Sequence, residues 1–243
     1  MAERPLFISN ENQEEYVQVK NIKFEWFPGF SVKQKQKSIE SFHYNIKKTL
    51  PHLNVLEVSS KSDKELGVAL SAFNLMINTK NDKMFSVETA FQASKVFEFG
   101  GPFLDLYEKT SREAKKDPRI KNSGKLLYFQ YFSRRWELEP KTLFYDWLYI
   151  NALFANKELA HQVIKFNAFT DIEFNPQKSI NCQAKSVALY VSLYRLNLLE
   201  VALKSVENFT RVVLEENIKR NKVTEVKNPN YKQLDIFGGN NEE

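Results

Sequence analysis

The stretch "PKTLFYDWLYINALFANKELAHQVIKF", residues 140–166, limits the fold more than any other part of the chain. It has the length and composition of one or two helices, with Pro140 suited to a helix start. Its first half is apolar on nearly every side. A helix without a polar face has to be surrounded by protein, so the rest of the chain must wrap around this segment. With 243 residues there is enough chain for one large domain plus extensions. The 20 Phe, 10 Tyr and 3 Trp imply a core filled largely by aromatic rings.

Several segments show helical spacing. In "SVKQKQKSIESFHYNIKKTL", with Ser31 as the cap, Val32, Ile39, Phe42, His43 and Ile46 fall on one face and Lys33, Lys37, Glu40 and Lys47 on the other. "FSVETAFQASKVF", residues 85–97, reads as a helix ended by "GGP" at 100–102. A further helix is expected over 103–116, stopping before Pro118. Another follows over "QAKSVALYVSLYRLNLLEVALKSV", with Ala184, Val187, Ala188 and Val191 inward. Strand signals are short: "NIKFEWF" before Pro28-Gly29, "LNVLEV", and two short runs flanking "TKNDK". The expected class is therefore mainly α, a single helical domain with a few short strands. The expected division is an N-terminal extension over 1–62, a catalytic domain over 63–206, and a C-terminal helix and flexible tail over 207–243.

Bulk chemistry narrows the function. One cysteine, Cys182, and three scattered histidines give neither a disulfide framework nor metal-ligand spacing, so no metal and no cofactor are expected. His43 and Cys182 read as core residues. The N-terminus lacks the pattern of a secretory signal and no apolar run approaches the roughly 18 residues of a membrane span. The expected location is the cytoplasm. The net charge of +5 permits phosphorylated or nucleic-acid partners.

Beside the inner face of 85–97, Glu88, Gln92 and Lys95 share a flank at i, i+4, i+7. Glu88 also has an ordinary explanation, because an acid in the first turn behind the Ser86 cap suits the helix dipole. In "FTDIEFNP", Asp171 and Glu173 offer further carboxylates, and glycosidic cleavage can use such a pair. Lys95 is suited to an ion pair with Glu88, to a phosphate, or to attack on a sugar aldehyde. Lys109, Arg112, Lys115, Lys116, Arg119 and Lys121 make a dense basic run, either a solvated face or a diphosphate clamp. Trp136, after two arginines, could stack on a base or cover the core.

Taken in order, "LSAFN" (70–74), "SVETAFQASKVF" (86–97), "REAKK" (112–116), Trp136 with Lys141, "NALFANKEL" (151–159) and "IEFNP" (172–176) resemble the NADAR, or YbiA-like, family over roughly residues 65–200. The resemblance implies a mainly helical fold and hydrolysis of N-glycosidic bonds. It is strongest to NADAR antitoxins that remove ADP-ribose from guanine in DNA and so counter a DarT-type toxin. Other members act on phosphorylated intermediates of riboflavin synthesis, and a non-catalytic toxin-binding antitoxin is a third reading. The family's glutamate falls on Glu88, its helix lysine on Lys95, its tryptophan on Trp136 and its late acid on Glu173. The candidate set is thus Glu88, Lys95 and Glu173 for catalysis, with Ser71, Asn74, Gln92, Arg112, Lys115, Trp136, Lys141 and Asn181 for the ligand. Thr89, Ala90 and Phe91 stand where the family usually has a histidine or tyrosine pair, and "INCQAKS" replaces its late "WG". Those departures concern base recognition. Implied partners are ADP-ribosylated, single-stranded DNA and the DarT-type toxin. In "QLDIF", Gln233, Leu234, Ile236 and Phe237 resemble the peptide that docks on the bacterial sliding clamp.

Overall fold

The computed structural model describes residues 1–11, 15–79 and 82–214. Strands β1 (Ala2–Ser9) and β2 (Val17–Phe24) form a hairpin, followed by helix α1 (Val32–Thr49) and β3 (Val55–Glu57). Next come α2 (Glu65–Ala69), the strands β4 (Met76–Asn78) and β5 (Met84–Ser86), α3 (Val87–Ala93) and β6 (Lys95–Phe97). A 3-10 turn at Leu104–Glu108 leads to α4 (Ser111–Lys116), α5 (Arg119–Asn122), β7 (Leu126–Tyr131) and β8 (Arg134–Trp136). The chain continues through α6 (Leu143–Ala155), α7 (Lys157–Val163), β9 (Ala168–Thr170), α8 (Gln183–Arg195) and α9 (Leu199–Leu203).

The expectation of a mainly α fold is corrected. Helix makes up 44% and strand 20%, in three sheets, so the class is mixed α/β. Of the strands that the spacing did not reveal, β6, β8 and β9 are three residues long, and a period of two cannot be recognised over so short a run; β7, LLYFQY, is apolar or aromatic at nearly every position and shows no alternation. The hidden β1 is longer, but Pro5 interrupts its pattern.

The four-stranded sheet has the order β2-β1-β9-β3. β9 is antiparallel to β1 at Phe7↔Phe169 and parallel to β3 at Leu56↔Phe169. Alternation then sends Ala168 to one face, where Leu6, Phe24, Ile39, Phe42 and Ile46 make a small core under α1. Phe7, Leu56 and Phe169 join the main core instead, together with α6 and α8. Ser31 caps α1 as expected, accepting from Gln34 N at 3.3 Å, but Val32 is solvent-exposed.

The segment 140–166 is two helices, α6 and α7, with α6 buried on most sides. Ala184, Val187, Ala188 and Val191 are fully buried on α8, which stops at Arg195 rather than running on to α9. The helix expected over 85–97 also ends early. Ser94 Oγ turns back to Ala90 O at 2.7 Å, and Lys95–Phe97 leave to pair with β7 at Lys95↔Phe129. The helix expected over 103–116 divides into the 3-10 turn and α4, where Thr110 forms a capping box with Glu113. No helix among the described residues is long and apolar enough to cross a membrane.

Candidate active site

A cleft of about 1100 Å³ opens beside α3. Its aromatic wall is Phe91, Phe129, Phe144 and Tyr145; its other sides are the 71–74 loop, α4, the 137–142 loop and the segment after β9. Hydrogen bonds between segments fix this frame. Ser86 Oγ caps α3 by accepting from Thr89 N at 3.1 Å, and it meets Ser111 Oγ at 2.7 Å. Ser111 Oγ in turn donates to Phe73 O at 2.7 Å, which joins α3, α4 and the loop. Glu88 N donates to Ala72 O at 2.8 Å. Gln183 spans two loops, accepting from Ala72 N and donating to Val58 O, each at 2.7 Å. Thr142 turns the rim into α6 at φ 68°, a strained conformation for a β-branched residue.

Glu88 sits in the second position of α3 but does not face bulk solvent. Its side chain is 8% exposed and lines the cleft. Glu88 Oε1 accepts from Gln92 Nε2 at 2.9 Å and lies 3.6 Å from Lys115 Nζ. Lys95 Nζ donates to Gln92 Oε1 at 2.8 Å. An ammonium can only donate, so the Gln92 amide must turn its oxygen to Lys95 and its NH₂ to the carboxylate. The predicted flank is thus a relay from Lys95 through Gln92 to Glu88, even though Lys95 belongs to a strand. Burial pushes the Lys95 ammonium down to about 8; the Glu88 carboxylate opposes this shift and Lys115 adds to it.

Ser71, Asn74, Arg112, Lys115, Lys141, Glu173 and Asn181 also line the cleft. Arg112, Lys115, Lys116 and Lys141 are exposed on its rim, where Lys61 and Lys178 add to the positive charge. Asn74 braces its own loop by donating to Val68 O at 2.8 Å. Lys141 Nζ lies 4.0 Å from Glu139 Oε1. Arg119, from the same basic run, is held by Asp105 and Asp117 at 2.7 and 2.9 Å, away from the cleft. Of the two late acids, Glu173 is 43% exposed and pairs with Lys35 at 3.0 Å, whereas Asp171 is buried and lines the cleft.

Trp136 is placed elsewhere. Its indole is buried against Phe144 and Trp147, with centroids 5.2 and 4.9 Å away, and Nε1 has no hydrogen-bond partner among the described residues. The residue contributes to the aromatic packing behind the cleft and not to its lining. The peptide at 233–237 lies outside the described residues.

Sequence reasoning missed Tyr145, Gln183 and Lys61. Tyr145 is one of two tyrosines on α6, and nothing in the spacing separates it from Tyr149 or from its phenyl neighbours. Burial, with Glu88 and Asp171 nearby, holds its hydroxyl protonated far above the usual range.

A carboxylate, an amide and two ammonium groups in a deep cleft with a basic rim can hold an anionic ligand and direct water at it. Comparison with curated proteins gives no match. One family model, described as the DarT1-associated NADAR antitoxin, matches residues 2–223. Because that match covers nearly all of the chain, the protein belongs to the family of DarT1-associated NADAR antitoxins.

Proposed function

We propose that the protein hydrolyses the N-glycosidic bond between ADP-ribose and guanine in DNA, and that it counters a DarT-type toxin by this chemistry. The observation that carries the reading is Glu88, a buried carboxylate inside the cleft, oriented by Gln92 and Lys115 below a basic rim. A cleft of about 1100 Å³ suits a ligand of dinucleotide size. A phosphorylated riboflavin intermediate would leave much of that volume unfilled. The rim cations, Arg112 and Lys115 among them, would hold the diphosphate.

The bonds change as follows. Water adds to the anomeric carbon, Glu88 takes its proton, and the electron pair of the broken C–N bond stays on the base. Lys95 acts through Gln92 to keep the carboxylate in place. The modified base must leave the stack to enter the cleft, which favours single-stranded substrate.

Glu88→Gln tests the reading. It keeps the shape and the amide contact, so the variant should fold, bind ADP-ribosylated DNA and turn over about 10²–10⁴-fold more slowly. Assays of wild type on ADP-ribosylated DNA, on riboflavin intermediates and on toxin alone separate the three readings. Full turnover by Glu88→Gln would exclude the assignment.

A further inference from the structure

Two carboxyl side chains lie buried behind one wall of the cleft. Glu57 ends β3 and pairs in register with Thr170 of β9, so Asp171 follows its neighbour by one residue. Glu57 is 1% exposed; its Oε2 accepts from Thr170 Oγ1 at 2.6 Å and its Oε1 from Ile172 N at 2.8 Å. Asp171 is 7% exposed and opens on the cleft. Its Oδ1 accepts from the amides of Glu173 at 3.0 Å and Phe174 at 3.2 Å.

Among the described residues, the titratable groups that couple most strongly to Asp171 are acidic or neutral, although lysines rim the cleft it opens on. Those groups are Glu57 on β3, Glu173 on its own loop, Tyr145 and Tyr149 on α6, and Cys182 ahead of α8. From α1, His43 reaches the group through Thr170 and is itself neutral. Both carboxyls are buried and act on each other, so a charge on one disfavours a charge on the other. Glu57 has a donor on each oxygen to hold a charge, whereas both donors of Asp171 meet Oδ1. Burial pushes both carboxyls up, and Asp171, which also faces the Glu57 charge and opens on the cleft, keeps the proton. Glu88 stands in the opposite environment, beside an ammonium and an amide donor. Contrasting surroundings of this kind assign acid and base to two carboxyls in one cleft.

We propose that Asp171 is the acid of this cleft and gives its proton to the base as the glycosidic bond breaks. The proposal rests on the hydrolase reading above. Water's oxygen joins the anomeric carbon and its proton passes to Glu88. The C–N electron pair remains on the base nitrogen, which takes the Asp171 proton. Solvent then returns a proton from Glu88 to Asp171.

Asp171→Asn is tested with two substrates. One is an oligonucleotide carrying ADP-ribosylated guanine. The other is ADP-ribose bearing a 4-nitrophenolate leaving group, which departs without a proton. The expected result is a loss of about 10²–10⁴-fold on the first and less than about tenfold on the second. Equal losses on both, or no loss on the first, overturn the proposal. Infrared spectra of the wild type give a readout that needs no turnover and no variant kinetics. A protonated-carboxyl band at pH 7 that Asp171→Asn removes is expected, and absence of that band overturns the role. A wild type that cleaves neither substrate defeats the hydrolase reading itself, whereas a wild-type-like Asp171→Asn defeats only the role of Asp171.

Discussion

Acid should weaken this fold through His43. Its Nε2 lies 2.8 Å from Thr170 Oγ1, and that hydroxyl donates to Glu57 Oε2 at 2.6 Å. The ring nitrogen must therefore donate, which fixes the tautomer with the proton on Nε2. Burial, opposed by Asp63 and aided by Lys64, lowers the His43 pKa from 6.5 to about 4. The folded-state value is depressed, so between those two limits the unfolded chain binds more protons. Stability from this group is present above 6.5 and is lost as pH falls toward 4. The shift corresponds to about 3 kcal/mol in full and about 2 kcal/mol between pH 7 and pH 5. Urea unfolding of wild type and His43→Gln at both pH values measures it, since the glutamine amide can still donate to Thr170. Glu57 and Asp171 titrate in both proteins and cancel in the comparison. Wild type should lose about 2 kcal/mol more than the variant. Equal losses in the two proteins would refute the reasoning.

Three other outcomes are expected, two from the geometry and one from the sequence of the C-terminal segment. Loss of the Lys95 ammonium as pH rises through about 8 should weaken ADP-ribose binding, and calorimetry on Lys95→Met should show weaker binding without that pH limb. Trp136→Phe should keep turnover within about twofold because the indole does not line the cleft, while Trp136→Ala should cost about 3–5 kcal/mol in a denaturant melt. A pull-down with purified sliding clamp should retain the full chain but not a chain ending at Lys232; equal, negligible retention would remove the docking idea suggested by "QLDIF".

The parts legible in the sequence were those fixed by local rules. Ser31, most of the α1 face, the β4–β5 pairing and the depth of α6 follow from capping, period and composition. The flank of Glu88, Gln92 and Lys95 was also visible, because its members are three or four residues apart. What could not be read depends on partners far along the chain. Lys95–Phe97 fit a helix as well as a strand until β7 lies beside them. Trp136 has a composition suited to stacking on a ligand, and only Phe144 and Trp147 place it in the interior. The difference between Asp171 and Glu173 is likewise a matter of burial: they lie two residues apart just after β9, so alternation does not separate them, and Lys35 of α1 holds Glu173 at the surface.

The pairing of β1 with β9 has a consequence for synthesis of the chain. Phe7 and Ile8 find Phe169 and Ala168 as neighbours, so the opening hairpin waits on the ribosome for a strand made about 160 residues later. At about 5–20 residues per second, that interval lasts on the order of ten to thirty seconds. The wall bearing Asp171 is in place only after this delay. A newly started molecule offers no protection in the meantime, and the supply of finished copies must stay ahead of the toxin.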